Sequence, residues 1–292
     1  MKDERDMNDA TETGAGERGR DRRAGRGIGI VLAVVAVAGA MGFATWYARY
    51  DAPFERGAEP EWMAEVSEDS VGALIGSAKH ERMLDFPGVN NARDIGGYPT
   101  YDGRTTRWGI VFRSGRLRDL SEDGCERFRK AGIRTVVDLR NRMMVDSTLF
   151  DGDPECVQTA ANMKLFRFIP PRGEYETKAA HTRALVERNR NTIKNMMETL
   201  AEEENLPLLY HCTAGRDRAG IITYVLLDLL GVDRRVIRAE YDLSGEVGKM
   251  HEYEGIDAIF ADTDAAGGIH EYLKGMDVSY TTQRRVRENL LE

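Results

Sequence analysis

A cysteine and an arginine six residues apart, Cys212 and Arg218, stand in a setting that suits phosphate chemistry. The apolar run at residues 206–210 predicts a buried strand, and the apolar run at 221–230 predicts a helix that ends at Gly231. The short segment between them must be a tight loop. The loop amides and the N–H groups of the first helical turn converge there and have no internal hydrogen-bond partners, so they can bind an anion.

Cys212 is the nucleophile that this setting favours. The thiolate form of a cysteine attacks, and the positive end of a helix stabilises that form without a separate base. Arg218 can donate two parallel N–H bonds to phosphoryl oxygens as charge spreads over them in the transition state. In-line attack would give a phosphocysteine that water hydrolyses. Asp217 is the carboxyl nearest in sequence that can protonate the leaving oxygen.

The other loop residues are expected to surround the phosphate with backbone amides. These phosphate-binding residues are Thr213, Ala214, Gly215 and Arg216. A glycine within such a loop allows a positive φ or a close backbone approach. We expect His211 to orient the loop by hydrogen bonding rather than to transfer protons.

Charged residues elsewhere are predicted to support the loop. Asp138 and Arg140 end a predicted strand, and we expect them to form a structural ion pair that braces the loop, with a direct part in catalysis as the alternative. Arg93, Asp94 and Arg113 are expected to have similar bracing roles, and Arg113 alternatively lines the pocket. The histidines outside the loop show no metal-ligand spacing, so no metal site is predicted.

Residues 211–218, His-Cys-Thr-Ala-Gly-Arg-Asp-Arg, resemble the signature loop of the cysteine-dependent protein tyrosine phosphatases. More narrowly, they are similar to a bacterial tyrosine-phosphatase-like, dual-specificity-like group whose loop reads HCxAGKDRTG. Four other segments are similar to the same group: NARDIGG at 91–97, RSGRL at 113–117, GIRTVVDLR at 132–140 and YDLS at 241–244. The resemblance covers about residues 86–244.

This resemblance implies an α/β sandwich, with a mixed or parallel central sheet flanked by helices. It implies Cys212 as nucleophile, Arg218 as phosphate-binding residue and Asp217 as the acid, with no metal or other cofactor. The implied substrates are phosphotyrosine, phosphoserine or phosphothreonine in proteins, and phosphoinositides.

Two loop positions depart from the group. Arg216 replaces the usual lysine and either contacts a second phosphate or pairs with Asp217 at the surface. Ala219 replaces a threonine or serine whose hydroxyl is thought to help the thiolate leave, so we expect slower breakdown of the phosphocysteine. The change also favours an alternative, a pseudophosphatase that binds phosphorylated ligands without turnover. The retained nucleophile and arginine favour the enzyme.

The cysteines leave a redox alternative open. Cys125, Cys156 and Cys212 are too few for a zinc site or a disulfide framework. We expect Cys125 and Cys156 to be reduced, although one bridge between them remains possible. An arsenate reductase needs further cysteines that resolve a disulfide, and Cys125 and Cys156 are candidates for that role. A rhodanese is the other thiol-loop enzyme, but it lacks the motif at residues 91–97.

The N-terminal residues predict a membrane anchor. Residues 1–27 are arginine- and acid-rich and predict a disordered cytoplasmic tail. Residues 28–48 form an uncharged run as long as the ~20 residues that cross a bilayer. Arginines before this run predict that the tail lies in the cytoplasm and the rest of the chain outside the cell membrane. That outer part comprises a linker at 49–79 and the catalytic domain at 80–292. A cleaved signal peptide and a secreted protein are the alternative.

The composition of the 292-residue chain fits this organisation. Hydrophobic residues make up 41%, which allows a sizeable core, and the net charge of -8 argues against general nucleic-acid binding. Periodicity predicts a short helix at 59–75 and further helices at 121–131, 177–205 (one long or two), 234–243, 257–260, 269–274 and 281–291. It predicts further strands at 108–113, 133–139 and 165–169.

Overall fold

The computed structural model describes residue 71 and residues 82–141, 154–158, 160–244 and 253–292. All of them lie in the second of the two units into which the chain divides, Tyr50–Glu292. The predicted tail, the predicted membrane anchor at 28–48 and nearly all of the linker with its helix lie outside the described residues. In the part that is described, no helix has the length and apolarity needed to cross a membrane.

A mixed sheet lies at the centre of the described residues. Its five strands are β1 (Arg93–Asp94), β2 (Val111–Ser114), β3 (Thr135–Asp138), β4 (Asn162–Leu165) and β5 (Leu208–His211). Their order across the sheet is β1-β2-β5-β3-β4, with β1 antiparallel to β2 and the other neighbours parallel. Ligands of such sheets bind beyond the carboxyl ends of the strands, which is where Cys212 follows the central strand.

Helices cover both faces of this sheet. Within the described ranges they are α1 (Glu122–Lys130), α2 (Glu155–Gln158), α3 (Lys178–Arg188), α4 (Arg190–Leu200), α5 (Asp217–Leu230), α6 (Arg234–Asp242), α7 (Glu254–Ala265), α8 (Ile269–Lys274) and α9 (Tyr280–Leu290). Side chains alternate along β5, so Leu208 and Tyr210 enter the larger apolar cluster and Leu209 enters the smaller one on the other face. The predicted α/β sandwich is confirmed.

The pattern at 177–205, which predicts one long helix or two, forms two helices, α3 and α4. The chain breaks at Asn189, whose side-chain Nδ2 bonds to the Leu185 carbonyl in place of the backbone N–H. The strand predicted at 165–169 lies three residues earlier, at β4. Register with β3 pairs Asp138 with Leu165, after which Pro170 and Pro171 turn the chain away.

Cys125 of α1 and Cys156 of α2 form a disulfide, so the expectation that both are reduced is wrong. Both side chains are buried in the smaller apolar cluster, where the fold brings together residues that are 31 positions apart. Cys212 is the free cysteine of the chain. Neither of the other cysteines is therefore available as a resolving thiol, and the redox alternative loses its main support.

We expect the Cys125→Ala/Cys156→Ala double variant to be less stable than the wild type by about 2–4 kcal/mol, because the bridge restricts the unfolded chain. Urea unfolding of the two full-length proteins measures the difference. Phosphate release per folded molecule should not change, because the residues that bond to the loop carbonyls, Asn91, Arg113 and Arg116, lie outside α1 and α2. Equal unfolding midpoints would show that the bridge does not constrain the protein.

Candidate active site

The loop between β5 and α5 brings the predicted site residues together. Cys212 lies at its base and is only 2% exposed, while Thr213 and Ala214 are exposed above it. The guanidinium of Arg218 closes the loop from the opposite end, since its Nη2 donates to Thr213 Oγ1 at 2.9 Å. Helix α5 begins at Asp217, four residues earlier than the apolar pattern indicates, so its unpaired N–H groups face the loop.

Gly215 makes the tight loop possible. Its φ is +70°, and a Cβ there would lie 2.6 Å from the backbone of Ser114 and Gly115 at the end of β2. Any larger residue would therefore push the loop away from the sheet. The close approach anchors the loop to a second strand besides its own.

The loop carbonyls are held by residues outside the loop. Asn91 Nδ2 donates to the Ala214 carbonyl at 2.6 Å. Arg113 Nη2 donates to the Gly215 carbonyl at 2.6 Å and to the Arg216 carbonyl at 3.3 Å. The N–H and C=O of a planar peptide point in opposite directions. Holding the Gly215 carbonyl toward Arg113 therefore turns the next amide toward the centre of the loop, where an anion would lie.

A buried cluster of three charges fixes Arg113 in turn. Glu240 of α6 accepts from Arg113 Nη1 at 2.9 Å and from Arg93 Nε at 2.7 Å. All three side chains are fully buried. Burial alone would raise the pKa of Glu240, but the two arginines hold it below its ordinary value, so the carboxylate stays charged. Ser244 Oγ accepts a further bond from Arg93.

Sequence reasoning gave Arg93 and Arg113 bracing roles but did not identify their partner. Glu240 is 127 residues from Arg113, so no local pattern links them. The sequence held one indication that Glu240 matters: it directly precedes the YDLS segment, which resembles the family. Asn91, the first residue of the NARDIGG motif, was likewise not predicted to contact the loop.

Asp138 and Arg140 form the expected ion pair beneath the loop. Arg140 Nε lies 2.9 Å from Asp138 Oδ2, and the Arg140 backbone N–H donates to Asp138 Oδ1 at 2.8 Å. His211 Nε2 is 3.9 Å from the same carboxylate. Although burial opposes it, His211 and Arg140 lower the pKa of Asp138. The charged carboxylate thus lies beside His211, the residue that precedes Cys212.

Asp217 and Arg216 pair with each other at the surface. Arg216 Nε lies 3.4 Å from Asp217 Oδ1, and both side chains are about half exposed. A pair this exposed contributes little to stability. Asp217 stands in the first turn of α5 next to Arg218.

This geometry defines a class of site: a cysteine at the base of an anion-binding loop, with an arginine across it. Residues 84–292 match the tyrosine phosphatase family, so the chain belongs to that family. The resemblance predicted from the loop is thereby confirmed.

Individual relatives agree with this assignment. A Cupriavidus necator protein named as a tyrosine-protein phosphatase is 31% identical over 56% of this chain and 64% of its own length. The triple specificity protein phosphatase PtpB of Mycobacterium tuberculosis is 28% identical over 54% of this chain and 68% of its own length. The solved structure of Pseudomonas aeruginosa TpbA aligns at 14% identity and a TM-score of 0.34, over 60% of this chain and 90% of that one. That likeness is weak, and the family assignment rests on the sequence matches.

Proposed function

We propose that the protein hydrolyses phosphate monoesters through a phosphocysteine intermediate on Cys212. The observation that carries the proposal is the loop itself, with the thiol at its base and Arg218 across it. The thiolate attacks phosphorus as the bond to the leaving oxygen breaks, and Asp217 protonates that oxygen. Water then attacks phosphorus, an O–P bond forms as the S–P bond breaks, and inorganic phosphate and the thiolate are released while Asp217 accepts a proton from the water.

The substrate class is a phosphorylated protein or a phosphoinositide. Membership of the tyrosine phosphatase family supports phosphotyrosine. The relative named for triple specificity supports a range wider than one substrate. Phosphoserine, phosphothreonine and phosphoinositides are the further candidates that the loop resemblance implies. Arg216 is exposed beside the loop, where a second phosphate of an inositol headgroup would compete with Asp217 for its guanidinium. No nucleic acid is proposed as a partner.

A pseudophosphatase is the second candidate, and Ala219 favours it. This residue is fully buried in the first turn of α5 and has no hydroxyl to assist departure of the thiolate. Such a protein would bind phosphate esters without releasing phosphate. Steady-state phosphate release from a phosphotyrosine peptide by the full-length protein separates the two, because the pseudophosphatase would show binding alone.

We expect Asp217→Asn to lower kcat/KM for a phosphotyrosine peptide by about 10²–10⁴-fold, because the amide cannot protonate the leaving oxygen. The loss should be much smaller for p-nitrophenyl phosphate, whose leaving group departs without a proton. A comparison of kcat/KM for the two substrates measures this difference, since kcat/KM reports phosphate transfer to Cys212 and not the later hydrolysis that both substrates share. Equal losses on both would remove Asp217 from the role of acid.

We also propose that the domain works outside the cell membrane, tethered by residues 28–48. The Cys125–Cys156 disulfide supports an oxidising compartment, since such bridges are rare in the cytosol. The secreted form remains the alternative. Mass spectrometry of the N-terminus of the mature protein distinguishes them, because an anchored protein retains residues 28–48 and a secreted one has lost them.

A further inference from the structure

A cavity of about 410 Å³ opens beside the active-site loop. It lies between helices α3, α5, α6 and α7 and the segment that follows β4. Helices α3 and α7 can pack closely beside it because Gly255 faces Thr182, whose Oγ1 would lie 2.6 Å from a Cβ at the glycine. Ligand pockets have volumes of roughly 300–1,000 Å³, so this cavity has the size of a binding site.

The inner part of the cavity is apolar. Phe168, Leu185, Ile221 and Ile256 line it, each less than a tenth exposed, and together they come from three helices and one loop. An engineered apolar cavity of about 150 Å³ holds one benzene ring. A cavity of 410 Å³ therefore has room for a group larger than the single ring of phosphotyrosine.

The cavity shares two wall residues with the active site, Asp217 and Arg218. A ligand whose phosphate lies in the loop therefore has its leaving group at the cavity entrance. Tyr224 lines the same cavity and is 3% exposed, and its hydroxyl has no hydrogen-bond partner among the described residues. A buried hydroxyl of this kind costs free energy unless a ligand or water binds it.

We propose that this cavity binds the leaving group of the substrate and selects phosphate monoesters whose alcohol carries a large apolar group, aromatic or alkyl. The inference rests on the proposed phosphatase function and narrows its substrate class. The phosphate is held by the loop and Arg218, the ester oxygen lies near Asp217, and the apolar group fills the space bounded by Leu185 and Ile256. Removal of that group from water supplies the selectivity.

The test compares 4-biphenylyl phosphate with phenyl phosphate, two aryl esters whose leaving groups have similar acidity. The full-length protein should hydrolyse the biphenylyl ester with a kcat/KM higher by on the order of tenfold, because a second ring is buried. The kcat/KM for octyl phosphate should likewise be higher than that for ethyl phosphate. Binding of biphenylyl and phenyl phosphonates, which cannot be hydrolysed, is measured alongside by calorimetry.

Variants that fill the cavity should abolish this preference. Leu185→Trp from α3 and Ile256→Phe from α7 are expected to bring the biphenylyl-to-phenyl ratio close to one, in kcat/KM and in phosphonate affinity. Ala261→Phe is the matched control for Ile256→Phe, because Ala261 lies exposed on α7 and outside the cavity lining. It should keep the wild-type ratio.

The two proposals fail in different ways. Equal kcat/KM for biphenylyl and phenyl esters, with both turned over, would overturn the cavity assignment and leave the phosphatase intact. If no ester is turned over, the phosphatase proposal fails, and the cavity proposal is then tested by phosphonate binding alone. Tighter binding of the biphenylyl compound, lost in Leu185→Trp or Ile256→Phe, would then support the cavity, and equal binding would overturn it. A wild-type preference unaltered by both variants would also overturn it.

Discussion

Replacing Cys212 by serine should lower phosphate release by at least about 10⁴-fold, the scale on which removal of a nucleophile acts. A hydroxyl is far less acidic than a thiol, and the amides and arginines that favour a thiolate in this loop do not make a serine hydroxyl comparably nucleophilic. The measurement is kcat with a phosphotyrosine peptide at saturating concentration, for wild type and variant purified in parallel.

The same variant should still bind phosphate esters. The loop amides and Arg218 do not depend on the sulfur, since Arg218 is positioned by Thr213. Calorimetry with the phosphotyrosine peptide should therefore show binding in the absence of turnover. A Cys212→Ser protein that releases phosphate at more than a few per cent of the wild-type rate would exclude Cys212 as the nucleophile.

Replacing Glu240 by glutamine should lower the free energy of unfolding by about 3–5 kcal/mol, the usual cost of removing one partner from a buried charge pair. The amide has nearly the same shape as the carboxylate, so the effect arises from charge. Arg93 and Arg113 would remain buried, facing each other, without the anion that lies between them. Urea unfolding at neutral pH measures the loss.

Activity of the folded Glu240→Gln protein should fall as well, because Arg113 holds the carbonyls of Gly215 and Arg216. Glu126→Gln is the matched control: it breaks an exposed pair with Lys130 and should cost less than about 1 kcal/mol. Similar losses in the two variants would show that the buried cluster does not stabilise the fold.

The pH dependence of the stability follows from the direction of the Glu240 pKa shift. The folded-state pKa of Glu240 is lowered, so its contribution to the free energy of unfolding is present at neutral pH and is lost as the pH falls through that lowered value. The stability difference between wild type and Glu240→Gln should therefore shrink in acid.

The parts of the fold that local sequence encodes were predicted well. Strand β5 and the body of α5 are largely apolar, and Gly231 ends the helix with a φ of +83° as expected. The helix predicted at 121–131 is α1, and Ser121 caps it by accepting the Gly124 N–H. In each case the cause lies within a few residues of the effect.

Features that depend on distant residues were missed or predicted wrongly. The Cys125–Cys156 bridge requires α1 and α2 to meet, and cysteine spacing alone does not show that they do. The start of α5 was predicted too late for a local reason, because Asp217 and Arg218 in its first turn interrupt the apolar periodicity. Glu240 looks like an ordinary helix residue until the fold places it between two arginines.

The central claim is that phosphate passes through Cys212. The most direct measurement mixes full-length wild-type protein with a phosphotyrosine peptide, quenches the reaction within milliseconds and locates phosphate by peptide mass spectrometry. We predict a phosphothiol on the peptide that contains Cys212, formed before free phosphate accumulates and prolonged by the absence of a hydroxyl at Ala219. Release of phosphate with no phosphothiol at any time point, or phosphate on another residue, would contradict the mechanism.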